Sequence, residues 1–118
     1  VNDLEARTKA FALAVVKTVK AAGRNPVADV LHHQLLRSGT SVGAVYREAR
    51  RAESRKDFIH KVGIAAKEAS ESSYWLELIN ESGFGTPGTI ELHQESDELL
   101  RILIASGRTA RRNTPLRK

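Results

Sequence analysis

One stretch limits the possible folds more than any other. Between Val27 and Ala52, apolar and small residues recur at alternating steps of three and four, as Val27, Leu31, Gln34/Leu35, Ser38, Val42, Val45, Ala49 and Ala52. That period belongs to an α-helix. Inside it stand Gly39 and Gly43, and each glycine disfavours a helix interior by roughly 0.8–1 kcal/mol relative to alanine. A helix that keeps two glycines one turn apart is expected to have a neighbour lying close against that turn, because glycine lacks the side chain that would hold it off.

Three further segments carry helical stripes. Residues 3–22 place Leu4, Thr8, Phe11, Val15, Thr18/Val19 and Ala22 on one face, with Asn2 and Glu5 as a capping box and Gly23 as the stop. Asn25-Pro26 opens the glycine-bearing helix, a cap followed by proline at the first helical position. Ser54 and Asp57 cap a third helix whose stripe is Phe58, Val62, Ala65/Ala66, Ala69, Ser72/Ser73, Leu76 and Ile79, ending at Gly83. After a loop at residues 84–88 that would expose Phe84, a fourth helix starts near Thr86 or Thr89 and uses Leu92, Ser96, Leu99/Leu100 and Leu103. No strand-like alternation of useful length appears. Long helices joined by short connections predict an all-α, antiparallel up-down-up-down four-helix bundle over residues 1–107. Residues 108–118 read as a flexible basic tail. Ala, Ser and Gly crowd the middle of the second and third helices, where they bury little apolar area per residue. So thin a core predicts a homo-oligomer.

Charge is divided along the 118 residues. Residues 1–57 hold eleven Lys/Arg against six Asp/Glu, residues 58–106 three against eight, and residues 107–118 five against none. The chain has no cysteine, which excludes disulfides, thiolate metal sites and a cysteine nucleophile and fits a reducing cytoplasm. No apolar run reaches the roughly 18 residues of a membrane span, and Val1-Asn2-Asp3-Leu4-Glu5 lacks the layout of a signal peptide. A soluble cytoplasmic protein is expected.

Enzymatic chemistry finds little support. His32, His33, His60 and His93 form neither an H-x-x-x-H pair nor the E-x-x-H of di-iron bundles, so no metal or other cofactor is expected. Ser38 and Ser41 lack a nucleophile elbow. Glu68 and Glu71 read as ion-pairing or solubilising groups, and Arg37, Ser41 and Glu48 as a polar seam between helices or subunits. The charge pattern is more suggestive. Arg47, Arg50, Arg51, Arg55 and Lys56 crowd the end of the second helix and the next turn, with Arg111 and Arg112 as mobile additions. Part of this density suits a helix C-terminus; the remainder would serve phosphate contacts. Tyr46, Tyr74 and Trp75 are candidate base-stacking groups, and Trp75 is equally a candidate plug for a subunit interface.

The residues 34–44, QLLRSGTSVGA, followed by Tyr46-Arg47-Glu48-Ala49, resemble the second-helix signature of the four-helix-bundle family encoded by 23S rRNA intervening sequences. Ser54-Arg55-Lys56-Asp57-Phe58-Ile59, Ala65-Ala66-Lys67-Glu68-Ala69 and Tyr74-Trp75-Leu76 resemble its third helix. One departure is Val45, where family members commonly place Asn. The resemblance implies a homopentamer and kinship with the accessory variability determinant proteins of diversity-generating retroelements, which bind nucleic acid and a reverse transcriptase. It supplies no catalytic residues. The expectation is therefore a non-enzymatic oligomer binding RNA or DNA through Arg47, Arg50, Arg51, Arg55, Lys56, Arg111 and Arg112. Ser38, Gly39, Ser41, Gly43, Glu48 and Trp75 would serve helix or subunit packing. The alternative is a protein-interaction scaffold or accessory subunit without nucleic-acid affinity.

Overall fold

The computed structural model describes residues 3–113 and contains four helices: α1 (Asp3–Ala21), α2 (Pro26–Arg50), α3 (Arg55–Glu81) and α4 (Pro87–Arg112). No strand occurs among the described residues. The helices form a rod of 57 × 23 × 20 Å. The capping box expected at Asn2 lies outside the described residues.

Side-chain caps start the other three helices, each supplying an acceptor to amides that have no intrahelical partner. Asn25, in extended backbone, accepts from the amides of Val27 and Ala28 at 2.9 and 3.1 Å, ahead of Pro26. Ser54 accepts from Asp57 N at 3.0 Å. Thr86 and Thr89 bond reciprocally, at 3.1 and 2.7 Å, and Pro87 follows the cap. The α3–α4 turn is anchored as well. Gly83 takes φ +91°, a conformation that favours glycine, and Asn80 bonds Thr89 through both ends of its amide, at 2.7 and 3.3 Å. Phe84 is half-buried and packs on the core rather than being displayed by the loop.

The buried faces agree with the stripes for α1 (Thr8, Phe11, Val15), α3 (Val62, Ala65, Ala66, Ala69, Ser72, Leu76, Ile79) and α4 (Thr89, Leu92, Ser96, Leu99, Leu103). In α2 the buried line differs: it runs Ala28, His32, Leu35, Gly39, Val42, Tyr46 and Ala49, an unbroken four-three alternation, with Ser38 beside it. Val27, placed on the inner stripe by its hydrophobicity, is 61% exposed. The smaller Ala28 takes its place because that register carries both Gly39 and Tyr46 inward.

The two glycines have an owner, and it is α1. A Cβ at Gly39 would stand 3.0 Å from Val15 Cγ2, and one at Gly43 would stand 3.3 Å from the Thr8 carbonyl. The close approach inferred from sequence is thus made inside the chain, along the α1–α2 contact.

α4 does not stop near Gly107. It continues to Arg112, where Gly107 packs over Val62, its Cβ position 3.8 Å from Val62 Cγ1. Arg108, Arg111 and Arg112 are therefore helical residues rather than members of a flexible tail. The tail expected over residues 114–118 lies outside the described residues.

Candidate nucleic-acid interface

One end of the rod collects the start of α1, the α2–α3 turn and the last turns of α4. Glu5 reaches Arg47 at 3.8 Å and Arg50 at 4.0 Å, tying α1 to α2. A groove of about 730 Å3 runs between Arg50, Glu53, Arg55 and Phe58 on one side and Ser106, Thr109 and Asn113 of α4 on the other. Arg108, Arg111 and Arg112 line a second, shallow depression. The basic segments 47–56 and 108–112 are separated by most of the chain and meet here.

Within this end the cations differ. Arg47 and Arg50 are exposed but loosely held by Glu5, both contacts being long for charge-assisted bonds. The side chains of Arg51, Arg55, Lys56, Arg108, Arg111 and Arg112 are exposed and have no ion-pair partner among the described residues. Lys61 sits between Glu48, at 3.7 Å, and Asp57, at 3.8 Å. With Arg47, Arg51 and Lys9 it rims a groove of about 560 Å3 whose floor includes Ala12, Gly43 and Ala44. The acids at this end are Asp3, Glu5, Glu48, Glu53 and Asp57. Three of these five, Glu5, Glu48 and Asp57, are engaged with neighbouring cations, so the outward charge is positive.

The candidate base-stacking residues do not join this surface. Tyr46 is buried, 4% exposed, because it occupies the inner line of α2; it cannot stack on a base. Tyr74 is 51% exposed but stands 19 residues from Arg55, about 28 Å along α3 at 1.5 Å per residue. Trp75 packs partly against the core of its own chain, donates to Glu71 Oε2 at 3.0 Å and meets the Tyr74 ring edge-on at 5.2 Å.

The packing residues divide in a similar way. Ser38 and Ser72, both fully buried, hydrogen-bond across α2–α3 at 2.9 Å. Ser41 returns its hydroxyl to Arg37 O at 2.7 Å. Arg37 turns to α3, where it pairs with Glu71 and lies 3.6 Å from Glu68. Glu48 belongs to no buried seam: its side chain is 63% exposed and it meets Lys61. The expected Arg37–Ser41–Glu48 seam is therefore not one seam: Arg37 and Glu48 make separate contacts with α3, and Ser41 bonds within α2.

A Ser–His–Asp trio escaped the sequence reading, since its members lie on two helices. Ser73 Oγ donates to Asp97 Oδ1 at 2.7 Å and lies 3.3 Å from His93 Nε2. In a hydrolytic triad the carboxylate holds the imidazole and the imidazole takes the serine proton. Here the serine proton goes to the carboxylate, so the trio bonds α3 to α4 without preparing a nucleophile. His32 is 7% exposed and faces the bundle interior. Among the described residues, no group of three or more His, Asp or Glu gathers as a metal site, and no helix is long and apolar enough to cross a membrane.

Comparison with known proteins agrees with this architecture. Across solved structures, the chain is similar to a protein of unknown function from the S23 ribosomal protein family of Bacteroides thetaiotaomicron VPI-5482. The two share 38% sequence identity and a TM-score of 0.80 over 87% of this chain and 96% of the other. No curated protein matches the chain. Residues 2–105 match the family model of the 23S rRNA-intervening sequence protein, a span that includes the glycine-bearing α2 and nearly all of the bundle. The chain belongs to the 23S rRNA-intervening sequence protein family.

Proposed function

We propose that this protein is a non-enzymatic, homo-oligomeric up-down-up-down bundle that binds RNA or DNA through the basic end of the rod. The observation that carries the reading is the convergence of Arg51, Arg55 and Lys56 with Arg108, Arg111 and Arg112, two segments remote in sequence that gather at one end as exposed cations with no ion-pair partner among the described residues. Clustered cations displace counterions from a phosphate backbone and supply salt-sensitive affinity without reading sequence. With Tyr46 buried and Tyr74 distant, backbone contact rather than base stacking is the mode this surface suits.

The antiparallel arrangement is supported by pairs that run in opposite directions along α2 and α3, Ser38 with Ser72 and Glu48 with Lys61. Assembly, pentameric by the family resemblance, is supported by Leu13, Val27, Val30 and Ile90, each at least half exposed despite its hydrophobicity. Kinship with accessory variability determinant proteins adds a reverse transcriptase as a proposed partner, and a cytoplasmic setting fits both. The scaffold reading draws on the Glu5 contacts that partly neutralise Arg47 and Arg50.

Fluorescence anisotropy with a labelled structured RNA at low salt tests the nucleic-acid reading. Saturable binding lost in the Arg51→Glu/Arg55→Glu/Lys56→Glu variant supports it. Absence of binding, or equal binding by that variant, favours the scaffold.

A further inference from the structure

We infer that the basic end takes a double-stranded nucleic acid in preference to a single strand. This rests on the reading above and specifies the form of its ligand. The chain has six aromatic residues, and the basic end presents none of them as an open ring face. Phe11 and Tyr46 are buried. Tyr74 and Trp75 lie about 28–30 Å from Arg55 along α3, and Phe84 follows the far end of that helix. Phe58 lines the groove beside Arg55, but its side chain is half-buried and packed on the core.

Proteins that hold single strands depend on stacking, worth about 5- to 150-fold in affinity for each base. Without it, charge density decides. Each phosphate contact adds about 0.9 to the log–log salt slope on duplex DNA, against about 0.7 on a single strand. Five contacts therefore separate the two slopes by about one unit. Between roughly 1 M and 0.1 M salt, that difference amounts to about tenfold in favour of the duplex. One stacked base would cancel this margin, so the lack of a displayed ring sets the preference.

The layout of the cations points the same way. Arg108, Arg111 and Arg112 share one face of α4 at helical spacing. Ser106, Ala110 and Asn113, which line the groove with Arg55, occupy the opposite face, about half a turn away in helical phase. The α4 cations are therefore set off from Arg55 by about the thickness of a helix, roughly 10–12 Å. A single strand offers one row of phosphates. A duplex offers two, with grooves of roughly 6 and 12 Å between them, so both groups of cations are engaged at once.

Fluorescence anisotropy of the full chain tests this, with a labelled strand of about 20 nucleotides at about 0.1 M salt. The strand lacks self-pairing and is measured alone and annealed to its complement, as DNA and as RNA. The duplex should bind about tenfold tighter than the strand, with a salt slope steeper by roughly one unit. Phe58→Leu should leave both affinities unchanged; if that variant fails to fold, the wild-type comparison still decides. A single strand that binds as tightly as the duplex overturns the inference and leaves the nucleic-acid reading standing. So does a selective loss of single-strand affinity in Phe58→Leu, which would reveal a stacked base. If neither form binds, the nucleic-acid reading falls and this inference falls with it.

Discussion

Gly43 and Gly63 are both glycines in helix interiors, and their surroundings set them apart. The Cβ position of Gly43 is 3.3 Å from the Thr8 backbone, which cannot give way as a side-chain tip can; that of Gly63 has nothing within 4 Å. Gly43→Leu should therefore destabilise the bundle by about 1–3 kcal/mol through overpacking. Gly63→Ala should stabilise it by about 0.5–1 kcal/mol through helix propensity alone. Urea denaturation of both variants checks the pair, and equal effects would remove the close-packing account of Gly43. The glycine pair was legible in sequence as a place of close approach, but the identity of the approaching helix was not, because Thr8 and Val15 look like ordinary stripe residues. The inward position of His32 and Tyr46 was legible in principle. The four-three alternation from Ala28 to Ala49 is regular, but it is masked by the neighbouring Val27, Leu31 and Val45, which are more hydrophobic yet lie beside the true line.

Helix ends make the next scale. Caps at Asn25 and Ser54 were readable, and Thr86 was one of two starts expected for α4, because a short polar side chain before a helical stripe has a local job: accepting the first free amides. Thr86→Ala should lower stability by about 1 kcal/mol, with amide exchange accelerated first in the opening turn of α4. An effect spread evenly over all four helices would count against a local cap. The end of α4 was less readable. Gly107 has the composition of a stop, but its contact with Val62 keeps it in the helix, and a tertiary contact of that kind leaves no local mark in sequence. The Arg7–Glu95 latch is equally non-local. Glu95 holds the Arg7 guanidinium above its ordinary range, chiefly by accepting its hydrogen bonds, with Glu98 adding a smaller attraction. Both side chains remain about a third exposed, so Glu95→Gln should cost no more than about 1 kcal/mol. Faster amide exchange along α1 is the expected readout.

At the scale of the whole molecule, the core is narrow. Its central residues on α2 and α3 are Ser38, Gly39, Ala65, Ala69 and Ser72, while larger apolar side chains such as Leu13 and Val30 stand in the open. Light scattering should give a mass several times the 13.0 kDa of one chain; a monomer at micromolar concentration would contradict assembly. The convergence of two basic segments at one end could be anticipated from an up-down-up-down reading only if α4 stayed helical to Arg112, the point on which sequence and structure part. The most direct test of the account is the salt dependence of RNA affinity, measured for the wild type, Arg51→Glu/Arg55→Glu/Lys56→Glu, and Arg108→Glu/Arg111→Glu/Arg112→Glu. About five phosphate contacts predict a log–log slope near −4 for the wild type, and a single shared surface predicts that each triple variant weakens binding and flattens the slope. A wild-type slope near zero, or a loss confined to one of the two variants, would contradict the basic end as one nucleic-acid interface.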